Sequence, residues 1–255
     1  MIAKTHIERE GFRAAGKLLA RILHAAVARV APGVRASEID AYVEWEIRAA
    51  GAVPVFIGYP SIKHGAKPYP SATCISINDE VVHGIPTAQK MIIDGDVVSV
   101  DCALSLDGLV ADMTLTVIAG TARAQDERLV AGVREARDAA VAAAKAGNHV
   151  GDIGAAVAKV AEKCGLSVVR DLGGHGVGHE MHEAPFVANF GTKGRGEVLV
   201  EGMVLALEPI LVLGHGAIVL AKDGWTYKTR DHSRAAEFED TVIVGKEGGE
   251  IVTRC

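Results

Sequence analysis

Two stretches of this 255-residue chain repeat one pattern of histidine, proline, apolar and acidic residues in the same order. HGIP at 83–86 precedes an apolar run that ends in Asp101, and HEAP at 182–185 precedes a run that ends in Glu208. Both runs read apolar, acidic, glycine, any residue, valine, apolar, small, apolar, carboxylate. Self-similarity of this kind indicates a duplicated structural unit.

Helical and strand-like patterns also recur in the two copies. Thr5 and Glu8 have the spacing of a capping box, and Ser37 with Asp40 is predicted to begin a second helix that ends at Gly51. The predicted helices span about 6–30, 37–51, 126–146 and 152–163. Further strands are predicted at 53–57, 73–77, 204–213, 217–221 and 235–244.

These patterns predict an α+β fold built from two similar halves. The halves span roughly 6–120 and 126–246, and each is expected to hold two helices followed by antiparallel strands. We predict that a pseudo-twofold axis relates them. No linker or low-complexity segment appears, so residues 1–255 are predicted to form a single domain.

A metal site follows from the acidic residues that the two copies share. The strand at 112–117 opens on Asp112, and its counterpart at 239–244 opens on Glu239. Pairing of the halves would bring these two carboxylates together with Asp101 and Glu208, where burial on apolar strands would make them resist ionisation. Two divalent cations would remove that conflict, with His175 as a nitrogen ligand. Taken singly, each of these acids is more typical of a solvated strand end.

A hairpin gives the strongest local geometric indication. Strands at 97–106 and 108–119 flank the turn signal Leu-Asp-Gly at 106–108. Counting from the turn makes Asp101 and Asp112 close to cross-strand partners. Like charges opposed on a hairpin are destabilising unless a cation lies between them.

The glycine- and histidine-rich stretch at 171–185 is typical of an irregular strand rather than a helix. His175 and His182 are seven residues apart, so a regular strand would place them on opposite faces. A bulge, which the glycines permit, would bring both to one site. Alone, the stretch fits a ligand site or a structural turn equally well.

Two aromatic segments leave their roles open. The loop at 58–71 carries Tyr59 and Tyr69, and it is either a surface turn or the wall of a pocket. Trp225 lies in a predicted turn, where it either packs on a neighbour or lines a pocket.

Composition limits the classes of function. A net charge of −5 and a pI near 6.1 argue against a nucleic-acid partner. No apolar run reaches the roughly 18 residues of a membrane span, and residues 1–10 lack the apolar core of a secretion signal. Four cysteines without a CxxC pair are typical of free thiols in a reducing compartment, so we expect a cytoplasmic protein.

Together these segments resemble type I methionine aminopeptidases, which belong to the metal-dependent pita-bread family. The matching segments are SINDEVVHGIP (76–86), GDVVSVD (95–101), GHGVGHEMHEAP (174–185), ALEP (206–209), DGWTYKT (223–229) and AEFEDTVIV (236–244). The resemblance covers nearly the whole chain, and its length suits a catalytic domain alone.

The resemblance implies a role for each matching residue. Two divalent metal ions, from among Co, Mn, Fe and Zn, would be held by Asp101, Asp112, His175, Glu208 and Glu239, with Asp112 and Glu239 bridging. His83 and His182 would contact the substrate and the transition state without binding metal. The methionine side chain would lie among Tyr69, Cys74, Met181 and Trp225.

The implied activity is hydrolysis of the first peptide bond of newly made polypeptides that begin with methionine, with a small second residue preferred. Hydroxide made available by the metal ions would attack the scissile carbonyl. Glu208 would shuttle the proton, His182 would stabilise the oxyanion and His83 would position the amide. The expected partners are N-termini emerging at the ribosome, and the protein is expected to act as a monomer.

The chain departs from the family pattern at a few positions. Ala111 and Met113 flank Asp112 where glycine and threonine are commoner, Ala184 makes HEAP of the usual HEEP, and Ala66 and Lys67 lie where another aromatic is frequent. Because HEAP also occurs in proline dipeptidases, an Xaa-Pro peptidase on the same fold is the first alternative. A non-catalytic binding protein is the second, although all five metal ligands are present.

Overall fold

Four helices and fifteen strands make up the part of the chain that the computed structural model describes, residues 1–61 and 67–254. The helices are α1 (His6–Val27), α2 (Ala36–Ala49), α3 (Ala124–Ala143) and α4 (Val150–Cys164). The strands are β1 (Val53–Pro54), β2 (Cys74–Ile77), β3 (Glu80–Val82), β4 (Val97–Leu106), β5 (Leu109–Ile118), β6 (Ser167–Val168), β7 (Gly173–Gly176), β8 (Glu183–Ala188), β9 (Val204–Leu207), β10 (Ile210–Val212), β11 (Ile218–Leu220), β12 (Tyr227–Thr229), β13 (Ala235–Glu237), β14 (Glu239–Val244) and β15 (Gly249–Ile251).

The main sheet has nine strands and a symmetric centre. Its strands follow the order β1-β4-β5-β14-β9-β7-β8, while β2 pairs with β4 and β15 pairs with β14. Strands β4 and β5 come from the first copy of the repeated pattern, and β9 and β14 come from the second. The two copies meet where Thr114 pairs with Glu239 and Met113 with Asp240, in antiparallel register. The predicted α+β fold with an antiparallel sheet shared by two halves is confirmed, whereas the boundaries of the halves stay a prediction.

The four helices cover one face of this sheet. Leu19 and Leu23 of α1 pack with Val100 of β4, and Leu129 of α3 packs with Leu205 of β9. Full burial of each such side chain contributes about 1.5–3 kcal/mol. Because side chains alternate along a strand, the acidic residues of β4 and β5 point to the opposite face. That face is therefore available for a site.

Helix ends differ from the prediction by a few residues. The Thr5–Glu8 capping box is present, and α1 ends at Val27, after which the N–H groups of Arg29 and Val30 bond to carbonyls three residues back. Gly51 follows α2 with a φ of +77°, as a C-terminal glycine should. Helix α3 begins and ends two to three residues earlier than predicted, and α4 begins two residues earlier and ends one residue later.

The predicted start of α2 at Ser37 with Asp40 is wrong. The helix begins at Ala36, and its N-cap residue makes no side-chain hydrogen bond. Asp40 has another partner: its Oδ1 accepts hydrogen bonds from the N–H groups of Ala72 and Thr73 and from the Thr73 hydroxyl, at 3.0, 2.9 and 2.8 Å. This contact holds the segment that leads into β2.

Two predicted strands are each interrupted at or beside a residue that lines the cleft. The strand expected at 204–213 breaks at Glu208 and Pro209, because proline has no N–H for a sheet hydrogen bond. The strand expected at 235–244 breaks at Phe238. In both cases the second piece belongs to a different sheet from the first. Strand β1 is also shorter than the predicted 53–57, and β8, β12 and β15 were missed.

The hairpin is present, but the predicted pairing of its acids is wrong. Asp107 and Gly108 form a two-residue turn with φ values of +51° and +79°, so Leu106 pairs with Leu109. Asp101 therefore pairs with Thr114, two residues beyond Asp112, rather than directly with Asp112. The predicted turn was centred one residue too early along the chain. A shift of the turn by one residue moves the cross-strand partner of every residue by two positions. The two carboxylates are diagonal neighbours on one face.

The sequence also predicted free thiols and no membrane-spanning segment. Cys74, Cys102 and Cys164 are free cysteines, and Cys255 lies outside the described residues. Within the described ranges, none of the helices combines the length and apolar character needed to cross a membrane.

Two glycines of α1 provide a matched pair for testing the packing of this helix. A Cβ at Gly16 would collide with the main chain of Val252, 2.6 Å from its carbonyl carbon. A Cβ at Gly11 would meet only the end of the Leu109 side chain, at 2.5 Å. We expect Gly16→Ala to lower the free energy of unfolding by about 2 kcal/mol or more, since a backbone cannot yield as a side chain can. Gly11→Ala should be near neutral, because the gain in helix propensity of about 1 kcal/mol offsets the shift of Leu109.

Urea unfolding of the two variants measures the difference. Equal destabilisation by both would contradict the close approach of α1 to the C-terminal segment.

Candidate metal centre and substrate pocket

Five neighbouring strands bring the predicted metal ligands into one cleft. Strands β4, β5, β14 and β7 carry one ligand each, and the fifth directly follows β9. These strands lie side by side in the order β4-β5-β14-β9-β7. The residues concerned are Asp101, Asp112, Glu239, His175 and Glu208, and all five line a cleft of about 550 Å³.

The spacing of the donor atoms fits a bound cation. The His175 Nε2 atom lies 3.9 Å from Asp112 Oδ2 and 3.8 Å from Glu208 Oε1. Ligand atoms of Asp112, His175 and Glu239 all lie within 4.8 Å of one another. Two atoms bound at about 2.1 Å to one ion are at most about 4.2 Å apart, so the His175 contacts fall within that limit.

Three carboxylate oxygens in the cleft have unmet hydrogen-bonding capacity. Asp101 Oδ1, Asp112 Oδ1 and Glu239 Oε1 are buried without a hydrogen-bond partner among the described residues. Burying such an atom is costly unless it is paired or coordinates a metal. Carboxylate oxygens together with one imidazole form a donor set suited to Mn, Fe, Co or Zn. The residues therefore fit divalent cations.

Threonines on neighbouring strands orient the carboxylates. The Thr114 hydroxyl donates to Glu239 Oε2 at 3.0 Å. Thr241 holds the main chain of Asp112 from both sides: its hydroxyl accepts from the Asp112 N–H at 2.8 Å and donates to the Asp112 carbonyl at 2.9 Å. Ala111 and Met113, the departures beside Asp112, are buried against α1 and α2 on the helical face. They therefore do not reach the cleft.

Burial raises the pKa of every carboxyl group in the cluster. The pKa of Asp101 rises to about 7 and that of Glu208 to about 8, with loss of solvation as the largest cause in both. Loss of solvation, followed by nearby carboxylates, raises the pKa values of Asp112, Glu237 and Glu239 well above the ordinary range. Without a cation, the cluster therefore retains protons near neutral pH.

Glu237 is a fifth acidic residue of the cleft that the sequence analysis missed. It is buried at the end of β13, lines the cleft and shares a hydrogen bond with the Glu208 carboxyl. Glu237 and Glu239 are two residues apart, so the two-residue period of a strand would have placed both on one face. That alternation was the available signal.

His175 and His182 lie together in the cleft, as the sequence allows only if a bulge interrupts the strand. The register of β7 against β8 shifts between His175 and Gly176, and the rings of His175 and His182 lie 4.3 Å apart between centroids. Glycine makes this possible, because a Cβ at Gly176 would collide with the carbonyl oxygen of Ala184. His182 itself lies in the bend before β8 rather than on a strand.

All three histidines of the cleft are held neutral. Burial, followed by the nearby His182, lowers the pKa values of His83 and His175 to about 4. Burial also lowers the pKa of His182. His83 has a φ of +57° and lies 6.5 Å from Trp225 and 6.0 Å from Tyr227 between ring centroids.

An apolar and aromatic pocket adjoins the acidic cluster. The sequence-predicted members Tyr69, Cys74, Met181 and Trp225 line it. The rings of Tyr69 and Trp225 pack edge to face at 5.1 Å, and Phe56 packs on Tyr69 at 6.2 Å. Phe56 and Val82 also line the cleft and were missed as site residues.

Both open questions about the aromatic segments are answered for the described residues. Tyr59 and Tyr69 of the loop 58–71 line the pocket, as does Trp225. The Trp225 Nε1–H donates to the Lys67 carbonyl at 2.9 Å. Positions 62–66, including Ala66, lie outside the described residues.

Comparison with known proteins agrees with this geometry. Residues 10–246 match the model of metallopeptidase family M24. The chain is 42% identical over 249 residues to a methionine aminopeptidase of Aquifex aeolicus, covering 96% of each chain. It is similar to the crystal structure of methionine aminopeptidase from Thermotoga maritima, with a TM-score of 0.94, 38% identity and full coverage of both chains.

A more distant structure shares the fold alone. The prolidase of Pyrococcus horikoshii matches with a TM-score of 0.76 at 23% identity, and the match covers 99% of this chain but 63% of the prolidase.

Raising the pH from about 6.5 to about 8 is expected to destabilise the metal-free protein. Unfolded carboxyls are ionised throughout this window, whereas native Asp101 and Glu208 have pKa values of about 7 and about 8. The folded state thus binds more protons, and the free energy of unfolding falls by about 1–3 kcal/mol as they are lost. The histidines have lowered pKa values, so their contribution makes the free energy of unfolding rise with pH. That contribution acts mainly below about pH 6.5, their approximate pKa in the unfolded chain.

Urea unfolding of chelator-treated protein across this window tests the expectation. Glu208→Gln, which cannot ionise, should show a weaker dependence. Stability that rises with pH would refute the raised carboxyl pKa values.

Proposed function

Because the chain belongs to metallopeptidase family M24, we propose that it removes the N-terminal methionine from polypeptides by metal-dependent hydrolysis. The observation that carries this proposal is the adjacency, in one cleft, of a carboxylate and histidine cluster and a pocket walled by aromatic and sulfur-bearing side chains. The cluster suits cations and the pocket suits methionine. The two relatives described above, from Aquifex aeolicus and Thermotoga maritima, match over at least 96% of both chains and are methionine aminopeptidases.

In this proposal the cations are held by the five ligands named from the sequence. The residues that would hold them are Asp101, Asp112, His175, Glu208 and Glu239. The buried oxygens without partners and the His175 distances support these assignments. When bound, divalent cations supply Lewis-acid polarisation of a carbonyl and lower the pKa of water.

The methionine side chain enters the apolar pocket. A thioether is unbranched and polarizable, and it makes favourable contacts with aromatic rings. Tyr69, Trp225 and Phe56 provide such rings, and Cys74 and Met181 provide sulfur-bearing walls. Tyr69 is fixed in place, since its hydroxyl contacts the carbonyl oxygens of Thr73 and Gly84 at 3.1 and 3.2 Å.

The two histidines that bind no metal act as neutral hydrogen-bonding groups. Their lowered pKa values leave one N–H on each ring at neutral pH. His182 donates to the oxyanion that develops on the scissile carbonyl, and His83 positions the scissile amide. Glu208 accepts a proton from the attacking water and delivers it to the leaving amine.

The finer properties belong to the same proposal. The metal would be one of Mn, Fe, Co and Zn, and the five ligands would hold two ions. Substrates are newly made polypeptides with a small second residue, met in the cytoplasm at the ribosome by a monomeric enzyme.

The alternatives are weaker on specific grounds. An Xaa-Pro peptidase shares this fold, but its support is a likeness at 23% identity that leaves over a third of the prolidase uncovered. A non-catalytic binding protein would be expected to have lost metal ligands, and this chain retains all five.

Product analysis by mass spectrometry tests the activity. Metal-reconstituted protein is offered Met-Ala-Ser and Ala-Pro-Ser together. Release of methionine alone, abolished by chelator, is the expected result. Cleavage before proline alone would move the chain to the alternative peptidase class, and no cleavage with any of the four metals would favour a binding protein.

Substitution of His83 separates catalysis from metal binding. We expect His83→Ala to lower kcat by about a hundredfold with unchanged metal content, whereas Asp112→Asn should lose bound metal. Steady-state kinetics and metal analysis measure the two effects, with exposed His24→Ala as the control. Loss of metal from His83→Ala would show that the role assigned to His83 is wrong.

A further inference from the structure

We propose that Tyr59 is a positioning residue whose phenol selects one tautomer and one ring orientation of His182. The inference rests on the proposed function, in which His182 donates a hydrogen bond to the oxyanion. The inference identifies which ring nitrogen of His182 donates that hydrogen bond and names Tyr59 as the residue that holds the ring in place.

The contact between the two side chains is short and directional. The Tyr59 hydroxyl oxygen lies 2.6 Å from His182 Nδ1, and the rings meet edge to face with centroids 5.4 Å apart. A phenol is the stronger acid and a neutral imidazole nitrogen the stronger base. The hydroxyl therefore donates, and Nδ1 accepts.

An accepting Nδ1 decides the state of the other nitrogen. A neutral imidazole carries one proton, so Nε2 of His182 must bear it. Nε2–H is then a donor without a net charge. Burial and the nearby Glu180 and Asp112 raise the pKa of Tyr59, which keeps the phenol protonated and able to donate.

Tyr59 is anchored to the buried wall of the pocket rather than left free on its rim. Its carbonyl accepts from the Tyr69 N–H at 2.9 Å, and the Gly58 N–H donates to the Tyr69 carbonyl at 2.8 Å. Its own N–H bonds to the Phe56 carbonyl at 3.0 Å. Since Tyr69 is itself held at both backbone and hydroxyl, the phenol of Tyr59 is preorganised.

His182 needs such a restraint because the described residues provide no other hydrogen bond to its ring than that of Tyr59. It lies in a bend, is exposed to solvent and stacks at a tilt on His175. Rotation of the ring by 180° about its Cβ–Cγ bond would exchange Nδ1 with Cδ2 and Nε2 with Cε1, and so would move both nitrogens. Without the phenol, states with the wrong nitrogen protonated would be populated, and fewer molecules would be competent for the reaction.

The kinetic test uses two substitutions and a matched control. Tyr59→Phe removes the hydroxyl and keeps the ring, Tyr59→Ala removes both, and Tyr42→Phe removes a hydroxyl from the distant helix α2. We expect Tyr59→Phe to lower kcat about tenfold, the effect of losing one hydrogen bond at a reacting group. KM, metal content and Tm should stay within error of the parent, and Tyr42→Phe should match the parent throughout. A Tyr59→Phe variant with parental kcat, or with only KM raised, would make Tyr59 a binding wall and overturn the inference.

A spectroscopic test needs no activity. Nitrogen-15 NMR of the metal-free protein distinguishes protonated from unprotonated ring nitrogens, with His182 assigned by loss of its signals in His182→Asn. We expect unprotonated Nδ1 in the parent and an averaged pair of signals in Tyr59→Phe. Identical His182 signals in both would refute the restraint. If the parent released no methionine but showed this change, the proposed function would fail while the tautomer assignment stood.

Discussion

Burial of several carboxylates at the centre of one sheet is the constraint on which the rest of this structure depends. Each isolated buried carboxylate costs several kcal/mol, and here Asp101, Asp112, Glu208, Glu237 and Glu239 converge. The folded chain accepts this cost in two ways. Threonine hydroxyls satisfy some of the oxygens, and raised pKa values keep protons on the others. Three oxygens still lack partners among the described residues, and a cation is the group that resolves all of these demands together.

The duplicated sheet makes the cluster possible. Alternation along β4 and β5 sends apolar side chains to the helices and Asp101 and Asp112 to the opposite face, so a single sheet supports both a core and a site. The interruptions at Glu208-Pro209 and at Phe238 end the main sheet where the carboxylates must face the cleft. The neighbouring pocket is built on the same strands and on the segment held by Asp40, which explains how the aromatic walls stay close to the donors.

Much of this arrangement could be predicted from the sequence, because repeated patterns and strand alternation are local properties. They were sufficient for the shared antiparallel sheet and for the convergence of Asp101, Asp112, Glu208, Glu239 and His175 on one cleft. The exact register of the hairpin could not be predicted. The turn is centred after Asp107 because two residues there adopt a positive φ, which the sequence does not specify. An error of one residue in the turn displaced Asp101 from its actual partner, Thr114. Contacts across long separations were also missed. Tyr59 reaches His182, and Asp40 reaches Thr73, only once the loops are folded, and nothing in their local sequence marks those partners.

The central claim is that cations replace protons in this carboxylate cluster. Calorimetric titration of the metal-free protein with Mn²⁺ at pH 7, repeated in buffers of different ionisation enthalpy, measures the protons released as the metal binds. The structure predicts saturable binding with release of more than one proton per chain, because carboxyls with pKa values of about 7 and above must ionise to become ligands. Binding without proton release, or no binding at all, would contradict it.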